Sequence, residues 1–333
     1  MAATADHYGR INKTNRRVFR GASDSTTTTK LKTIYVPLNL YFSQNPSKYF
    51  ALESISNGLD VQVHIKLRKF EELMFEWTGS DLYNGTNNKG VSYADGVESC
   101  TMKLAAQYFE LQGPEAASLV NRSQSYLLHQ IQTQTTLKKT SEIPHGGSKT
   151  FVIDLQFLHP VKCLYVMIRH SSDLNGGGAN DHPRNYFALV GHPDRPHSMD
   201  VPNLQRVTVD DFDLEFNSTK MNNGTAITRD YMMKRLKPQH HTCGYEDGFV
   251  KDGGTEEIYC IPFCMAPESL NPSGHINFSK IANAKMHITM SKELADVADR
   301  VNIPDSDSLH IDVFALCYNW AVYDKGRGHV AFN

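Results

Sequence analysis

The residues best suited to chemistry are histidines and cysteines in the C-terminal half of the chain. His240, His241 and Cys243 lie upstream of Cys260 and Cys264. Imidazole and thiolate are preferred ligands of Zn²⁺. The spacing argues against one shared ion, because residues four apart on a strand are about 13 Å apart. Buried core thiols are therefore the favoured interpretation, and a zinc site is the alternative.

The other polar groupings give weaker signals. His192 and His197 flank a stiff segment with two prolines, which is typical of a surface loop. The glycine triplet 176–178 lacks the Gly-x-Gly-x-x-Gly pattern of a phosphate-binding loop and predicts a loop tip. The acidic residues of one strand-like segment predict a solvated strand face: Asp210, Asp211 and Asp213. With no Gly-x-Ser-x-Gly elbow, the sequence predicts no catalytic, cofactor-binding or metal site, and no enzyme.

Composition places the chain among globular proteins. It has 333 residues, of which 40% are hydrophobic and 21% charged, so it can bury a substantial core. A formal net charge of −2 argues against a general electrostatic hold on nucleic acid. The basic N-terminal stretch is interpreted as a solvated tail, with a nucleic-acid arm as the alternative; it holds Arg10, Lys13, Arg16, Arg17 and Arg20.

The six cysteines are scattered, mostly in apolar runs. This favours free buried thiols in a reducing compartment over a disulfide framework. The first 17 residues have no apolar core and predict no signal peptide. No apolar run approaches the roughly 18 residues of a membrane span, so we expect a soluble protein of cytoplasmic origin. Six Asn-x-Ser/Thr acceptors occur, but without a signal peptide we expect no conventional glycan on Asn12, Asn84, Asn121, Asn217, Asn223 or Asn277.

Short strands dominate the pattern. Apolar and polar residues alternate in Leu59–Arg68, which predicts a half-buried strand. The β-branched and aromatic run 34–42 predicts another strand, with Pro37 at an edge or bulge. The runs 151–157 and 163–168 are separated by a short His-Pro break, which predicts a hairpin. Further strands are predicted at 212–216, 258–263, 285–290 and 311–320.

Helical signals are few. A proline-initiated helix is predicted at Glu115–Arg122, and short helices at Tyr231–Leu236 and Lys292–Ala298. The run Met102–Leu111 fits either a helix or a strand. Many short strands with long polar loops predict an all-β fold, an antiparallel jelly-roll sandwich with few short helices.

Several segments carry a family resemblance. Residues 32–67 (KTIYVPLNLYFSQNPSKYFALESISNGLDVQVHIKL) resemble the first-barrel segment of the major capsid proteins of nucleocytoplasmic large DNA viruses. Residues 272–290 (PSGHINFSKIANAKMHITM) are similar to a segment near the end of that family's second barrel. The C-terminal 313–333 resembles its closing strand, and the His-Pro-x-Lys at 159–162 is a weaker match in the right order.

The resemblance implies a double jelly roll, a trimeric capsomer and an icosahedral shell over an internal membrane. It divides the chain into an irregular tail at 1–30, late strands of an incomplete first barrel at 31–98, and a second jelly roll at 99–333. Glu53 stands where the family often has proline. An unfinished barrel leaves strand edges that another chain or a loop must cover.

The predicted function is that of a structural capsid protein of a large DNA virus, located in the virion and assembled in the host cytoplasm. Its partners would be copies of itself, as a homotrimer, and other capsid proteins, without direct nucleic-acid binding. The segments 171–206 and 217–257 would be tower-like or intersubunit loops. Core or interface packing is expected of Pro37, Tyr41, Phe42, Phe278, Ile281 and Trp320. The alternatives are a minor capsid paralogue, a jelly-roll glycan-binding or host-attachment module, and a metal-dependent cupin-type enzyme.

Overall fold

The computed structural model describes residues 38, 40–43, 48–55, 61–66, 75–76, 89–90, 103–171, 207–236, 258–269, 271–292, 308–324 and 327–332. Antiparallel strands make up most of this part of the chain. The strands are β1 (Phe75–Glu76), β2 (Lys89–Gly90), β3 (Gln124–Lys139), β4 (Ser148–Asp154), β5 (Pro160–His170), β6 (Val207–Phe216), β7 (Thr219–Lys220), β8 (Ile227–Thr228), β9 (Tyr259–Pro262), β10 (Ile276–Asn277), β11 (Ala284–Lys292), β12 (Ser308–Asp324) and β13 (Arg327–Val330).

Helices are short. The helix α1 (Gly113–Asn121) has a proline in its first turn, as predicted. The second, α2 (Arg229–Tyr231), begins at the cap residue Thr228 and continues as a π-helix, Met232–Leu236, which confirms the predicted helical segment. Single 3₁₀ turns occur at Tyr41–Ser43, Leu52–Ser54, Thr140–Glu142, Met221–Gly224 and Phe278–Lys280.

Two sheets form the body, besides the small β1–β2 pair. In the larger sheet the order is β3–β12–β5–β9, with β10 beside β5 and β13 beside the end of β12. The smaller sheet has the order β4–β11–β6, with β7 and β8 along the free side of β6. From β3 to β6 each successive strand changes sheet, which is jelly-roll topology. The predicted all-β, antiparallel jelly-roll fold is confirmed, whereas the incomplete first barrel stays a prediction.

The core lies between the two sheets. Alternate side chains of β4, β6, β11 and β12 are buried, as their sequence periodicity predicts. Phe212 of β6 and Tyr259 of β9 meet across the sandwich, with ring centroids 4.7 Å apart. At one end, Phe278 packs against the rings of Phe157 and Phe216 at 6.1 and 5.6 Å. These contacts tie the two layers into one packed unit.

The predicted hairpin between 151–157 and 163–168 is wrong. Both strands exist, but β4 pairs with β11 in the smaller sheet and β5 pairs with β12 in the larger one. The break at residues 155–159 carries the chain from one sheet to the other. His159 has a φ of 72°, a left-handed conformation that redirects the backbone at this crossing.

Other predicted elements also differ. Residues 61–66 of the predicted strand Leu59–Arg68 form no strand, and all six are exposed, because no described strand pairs with them. In the predicted strand 34–42, the described residues 38 and 40–42 form no strand, and a 3₁₀ turn begins at Tyr41. Residues 103–111 of the ambiguous run adopt neither regular structure. The predicted helix Lys292–Ala298 lies outside the described residues except for Lys292, which ends β11.

The predicted loop 217–257 is folded in its described part. Residues 217–236 contain β7, β8 and α2, and the buried Met232 and Met233 pack into the core. The remainder of that loop, the whole tail 1–30 and nearly all of the loop 171–206 lie outside the described residues, and the predicted division into three domains stays a prediction. No helix in the described part is long and apolar enough to cross a membrane.

Candidate assembly surfaces and buried polar clusters

The outer face of the larger sheet carries exposed apolar side chains among polar ones. Ladder pairing places odd-numbered residues of β3 beside even-numbered residues of β12 on this face. Ile131 and Leu137 of β3 are 62% and 59% exposed, and Phe314 and Leu316 of β12 are half-buried beside them. Exposed apolar side chains gathered on one sheet face are typical of an interaction surface.

A charged pair lies in the middle of that face. Arg169 of β5 forms a salt bridge to Asp312 of β12, and its Nε donates to Asp312 Oδ2 at 3.2 Å. Thr135 Oγ1 donates to Asp312 Oδ1 at 2.6 Å. The carboxylate is 5% exposed, so these partners compensate for its lost hydration. The three strands are thereby cross-linked through one side chain.

The smaller sheet has a charged outer face. Glu215 of β6 contacts His287 of β11 at 3.1 Å, and Lys220 of β7 contacts Asp213 of β6 at 2.9 Å. The hydrogen bond and charge of Asp213 raise the pKa of Lys220. The prediction of a solvated face is wrong for Asp213, which is 5% exposed because the Lys220 side chain covers it. Asp210 and Asp211 are half-buried.

A segment before the sandwich docks on the end of the larger sheet. The Tyr41 and Tyr323 hydroxyls are hydrogen-bonded, and the Phe50 ring lies 5.3 Å from that of Tyr323. Lys48 Nζ donates to the Leu127 carbonyl at 2.8 Å. Burial raises the pKa of both tyrosines, so they stay neutral hydroxyls. We call the described residues 38, 40–43 and 48–55 the docking segment.

The six residues predicted to pack in the core or at an interface differ in their burial. Phe278 is in the core, and Ile281 packs against it while partly buried. Tyr41 and Phe42 are half-buried in the docking segment. Trp320 is 40% exposed, so a core position is wrong for it, because it sits at an outward position of β12. Pro37 lies outside the described residues.

The cysteines are buried where they are described. Cys163, Cys260, Cys264 and Cys317 are at most 7% exposed and form no disulfide, so the four thiols are buried as predicted, but of these only Cys317 belongs to the core cluster between the sheets. The described residues contain no group of three or more potential metal ligands. His240, His241 and Cys243 of the zinc alternative lie outside the described residues. So do His192, His197, the glycine triplet 176–178 and Cys100.

Lys162 forms a buried polar cluster that the sequence analysis missed. Its side chain is fully buried, with Nζ 2.5 Å from the Ser269 carbonyl and 3.3 Å from His129 Nε2. The ring of Tyr318 lies 5.3 Å from the same ammonium. Burial lowers the pKa of Lys162, and burial together with nearby lysines lowers that of His129 to about 4. The only signal in the sequence is a lysine inside the apolar run Val161–Leu164.

Four of the six Asn-x-Ser/Thr acceptors lie in the described part. Asn217 and Ser218 have φ values of 50° and 65° and form the tight turn between β6 and β7. Asn217 Oδ1 accepts hydrogen bonds from the backbone N–H groups of Ala282 and Asn283 at 3.0 and 3.2 Å. This acceptor therefore has a clear structural role. Asn12 and Asn84 lie outside the described residues.

The chain is similar to proteins of one viral group. A family model described as large eukaryotic DNA virus major capsid protein matches residues 115–328. The major capsid protein of Paramecium bursaria Chlorella virus 1 is 24% identical over 265 residues, covering 78% of this chain and 54% of that protein. The major capsid protein of Phaeocystis pouchetii virus is 21% identical over 359 residues, covering 90% and 65%.

The solved structures include distant matches. The VP54 crystal structure from PBCV-1, fitted into a cryo-EM reconstruction of the virophage Sputnik, aligns with a TM-score of 0.46 and 18% identity. That alignment covers 67% of this chain and 55% of the other. The chain thus spans about half the length of the first capsid protein that it matches.

Proposed function

The chain belongs to the large eukaryotic DNA virus major capsid protein family, and from this premise we propose that it is a structural subunit of an icosahedral virus shell. The matched relatives are named as major capsid proteins, which are structural proteins and not enzymes. The observation that carries the proposal is the set of exposed apolar side chains on the outer face of the larger sheet of the jelly roll.

This outer face suits association. Ile131, Leu137 and Trp320 expose apolar surface on long strands whose inner side is fixed by the core. Burying such surface against another subunit supplies most of the favourable free energy of assembly. Strands in a packed sheet move little, so the face is preorganised and loses little entropy when a partner binds.

The proposed assembly is a homotrimer that joins other capsid proteins in the virion. In a closed symmetric trimer the same favourable contact occurs at every subunit interface, so a small contact surface on each subunit can hold the assembly together. A minor capsid role is the variant of this proposal that uses the same surfaces. In either case, if the first barrel is incomplete as predicted, a partner would cover its open strand edges.

We further propose assembly in the host cytoplasm, close to an internal viral membrane but without insertion or direct genome contact. The net charge of −2 supports the last point, because sequence-independent binding of nucleic acid needs a basic surface. The described helices are too short or too polar to span a bilayer.

Native mass spectrometry of the full chain tests the proposal. We expect a trimer, and we expect Ile131→Asp combined with Leu137→Asp to shift it to monomer, because a buried unpaired charge opposes association. Val152→Asp is the matched control, since Val152 is 45% exposed on the outer side of the smaller sheet. Circular dichroism would verify that each variant folds. A wild-type chain that stays monomeric at high concentration would overturn the proposal.

A further inference from the structure

Two buried thiols lie in contact on neighbouring strands. Cys163 is on β5 and Cys260 on β9, and their Sγ atoms are 3.1 Å apart. In the ladder, Cys163 opposes Pro262 and Tyr165 opposes Cys260, so the two cysteines are diagonal neighbours on one face. They are 0% and 1% exposed.

Neither thiol is part of the core between the sheets. The inward residues of this ladder are Leu164, Val166, Tyr259 and Ile261, all of which belong to the core cluster. The two cysteines point the other way, and they are absent from that cluster. Their pairing is therefore not explained by core packing.

We propose that Cys163 and Cys260 are an oxidation site, which a peroxide converts to a disulfide linking β5 to β9. The step is balanced as two thiols and one hydrogen peroxide giving one disulfide and two waters. One sulfur attacks the O–O bond to form a sulfenic acid and release water. The second sulfur then attacks the sulfenic sulfur, and the hydroxyl leaves with the remaining thiol proton as water.

The disulfide would strengthen the attachment of β9 to the sheet. This strand has four residues, and its only ladder partner among the described strands is β5. The two cysteines are 97 positions apart in the chain, so the bond would close a long loop that contains β6, β7 and β8. Closing a long loop restricts the unfolded chain more than closing a short one.

The environment sets when the step occurs. Burial, together with the contact to Cys260, raises the pKa of the Cys163 thiol, so it stays protonated in the folded sheet. Thiolates are the reactive form, so the pair resists oxidation while β9 is in place. One thiol is oxidised to the sulfenic acid when the edge strand opens, and the disulfide forms when β9 pairs with β5 again and brings the two sulfur atoms into contact. The disulfide then prevents further opening. The inference goes beyond the capsid role and does not depend on assembly.

The test uses the full-length reduced chain treated with hydrogen peroxide at neutral pH, then blocked with an alkylating reagent. We expect two fewer alkylated cysteines than in the untreated chain, non-reduced peptides joined through Cys163 and Cys260, and a Tm higher by about 5 °C that dithiothreitol reverses. Cys163→Ala and Cys260→Ala should each abolish all three changes. Cys264→Ala and Cys317→Ala, which alter other buried thiols, should abolish none.

Two outcomes would overturn the inference. One is a wild-type chain that keeps both thiols alkylatable after unfolding, however long the peroxide treatment. The other is a disulfide that joins Cys264 to either member of the pair. Both readouts use the wild-type chain, so they hold even if a cysteine variant fails to fold.

Discussion

The side chain of Gln132 pairs with both backbone groups of Leu158. Its Nε2 donates to the Leu158 carbonyl at 2.7 Å, and its Oε1 accepts from the Leu158 N–H at 3.0 Å. Two residues further along β3, Gln134 accepts from the N–H of Gln156 at 3.0 Å and donates to the Asp154 carbonyl at 2.6 Å. The two amides thus act as a strand partner for residues 154–158, where the chain crosses between the sheets.

Replacing Gln132 by alanine should destabilise the sandwich. The change removes two hydrogen bonds to the crossing segment, and we expect the free energy of unfolding to fall by about 1–2 kcal/mol. Urea denaturation would measure it. Thr133→Ala is the control, because Thr133 is exposed on the same strand. Equal effects of the two substitutions would show that the paired amide contributes nothing.

The Arg169–Asp312 pair should matter more than a surface pair. Arg169→Met leaves a nearly buried carboxylate with Thr135 as its remaining partner, and we expect a loss of about 3 kcal/mol in unfolding free energy. Adding Asp312→Leu should recover part of that loss, because no buried charge remains. Chemical denaturation of the single and double variants measures both effects.

The control for that pair is Lys234→Met. Lys234 and Asp230 form an exposed i,i+4 pair 2.8 Å apart, with both side chains more than 60% exposed. We expect a change below about 0.5 kcal/mol. If Lys234→Met lowered the free energy of unfolding as much as Arg169→Met does, burial would not explain the larger contribution of the Arg169–Asp312 pair.

Acid should destabilise the fold through His129. Its pKa is lowered to about 4 in the folded chain, against about 6.5 when unfolded. Between these values the unfolded chain binds more protons, so stability falls as the pH drops from 6.5 to 4 and the loss is complete below 4. Because His129 is only partly buried, we expect a contribution of about 1–2 kcal/mol.

The comparison that isolates His129 is His129→Gln. Carboxylates also titrate in this range, so the difference between the wild-type and variant unfolding profiles is the informative quantity. We expect the variant to lose less stability between pH 6.5 and 4. Superimposable pH profiles would mean that protonation of His129 does not oppose folding.

The docking segment should depend on the Tyr323 ring. Tyr323→Ala removes the ring that contacts Phe50 and Tyr126, at centroid distances of 5.3 and 6.0 Å. We expect faster amide hydrogen exchange in residues 48–55 with little change in β11. Tyr323→Phe keeps the ring and should change exchange much less. If both variants exchanged like the wild type, the segment would be held by other contacts.

The strands were predictable where one face is buried and the other is not. Alternation in β4, β6 and β11 reports that environment directly, because the side-chain period of a strand is two. The partners of these strands were not predictable. The short break between β4 and β5 indicates a hairpin locally, and only the tertiary contacts of Gln132 and Gln134 show a crossing between sheets.

Alternation also misled where tertiary contacts are missing. Val61, Val63 and Ile65 have a strand pattern but are 46%, 38% and 41% exposed. An alternating pattern shows that a segment is suited to a half-buried strand. A strand also needs a second strand to pair with, which the pattern does not indicate. Asp213 shows the converse case, since its burial depends on Lys220, which lies beyond a turn. The buried Lys162 has no periodic signature at all.

The central position of β12 has a consequence for synthesis. This strand lies between β3 and β5, yet it leaves the ribosome after both of them. Until β12 is synthesised, the backbone N–H and C=O groups of β3 and β5 that pair with it lack these hydrogen bonds. A nascent chain that ends before residue 308 therefore has two separate strands with open edges. Such edges favour aggregation. We therefore expect folding to be largely post-translational and to benefit from a chaperone that shields β3 and β5 until β12 is released.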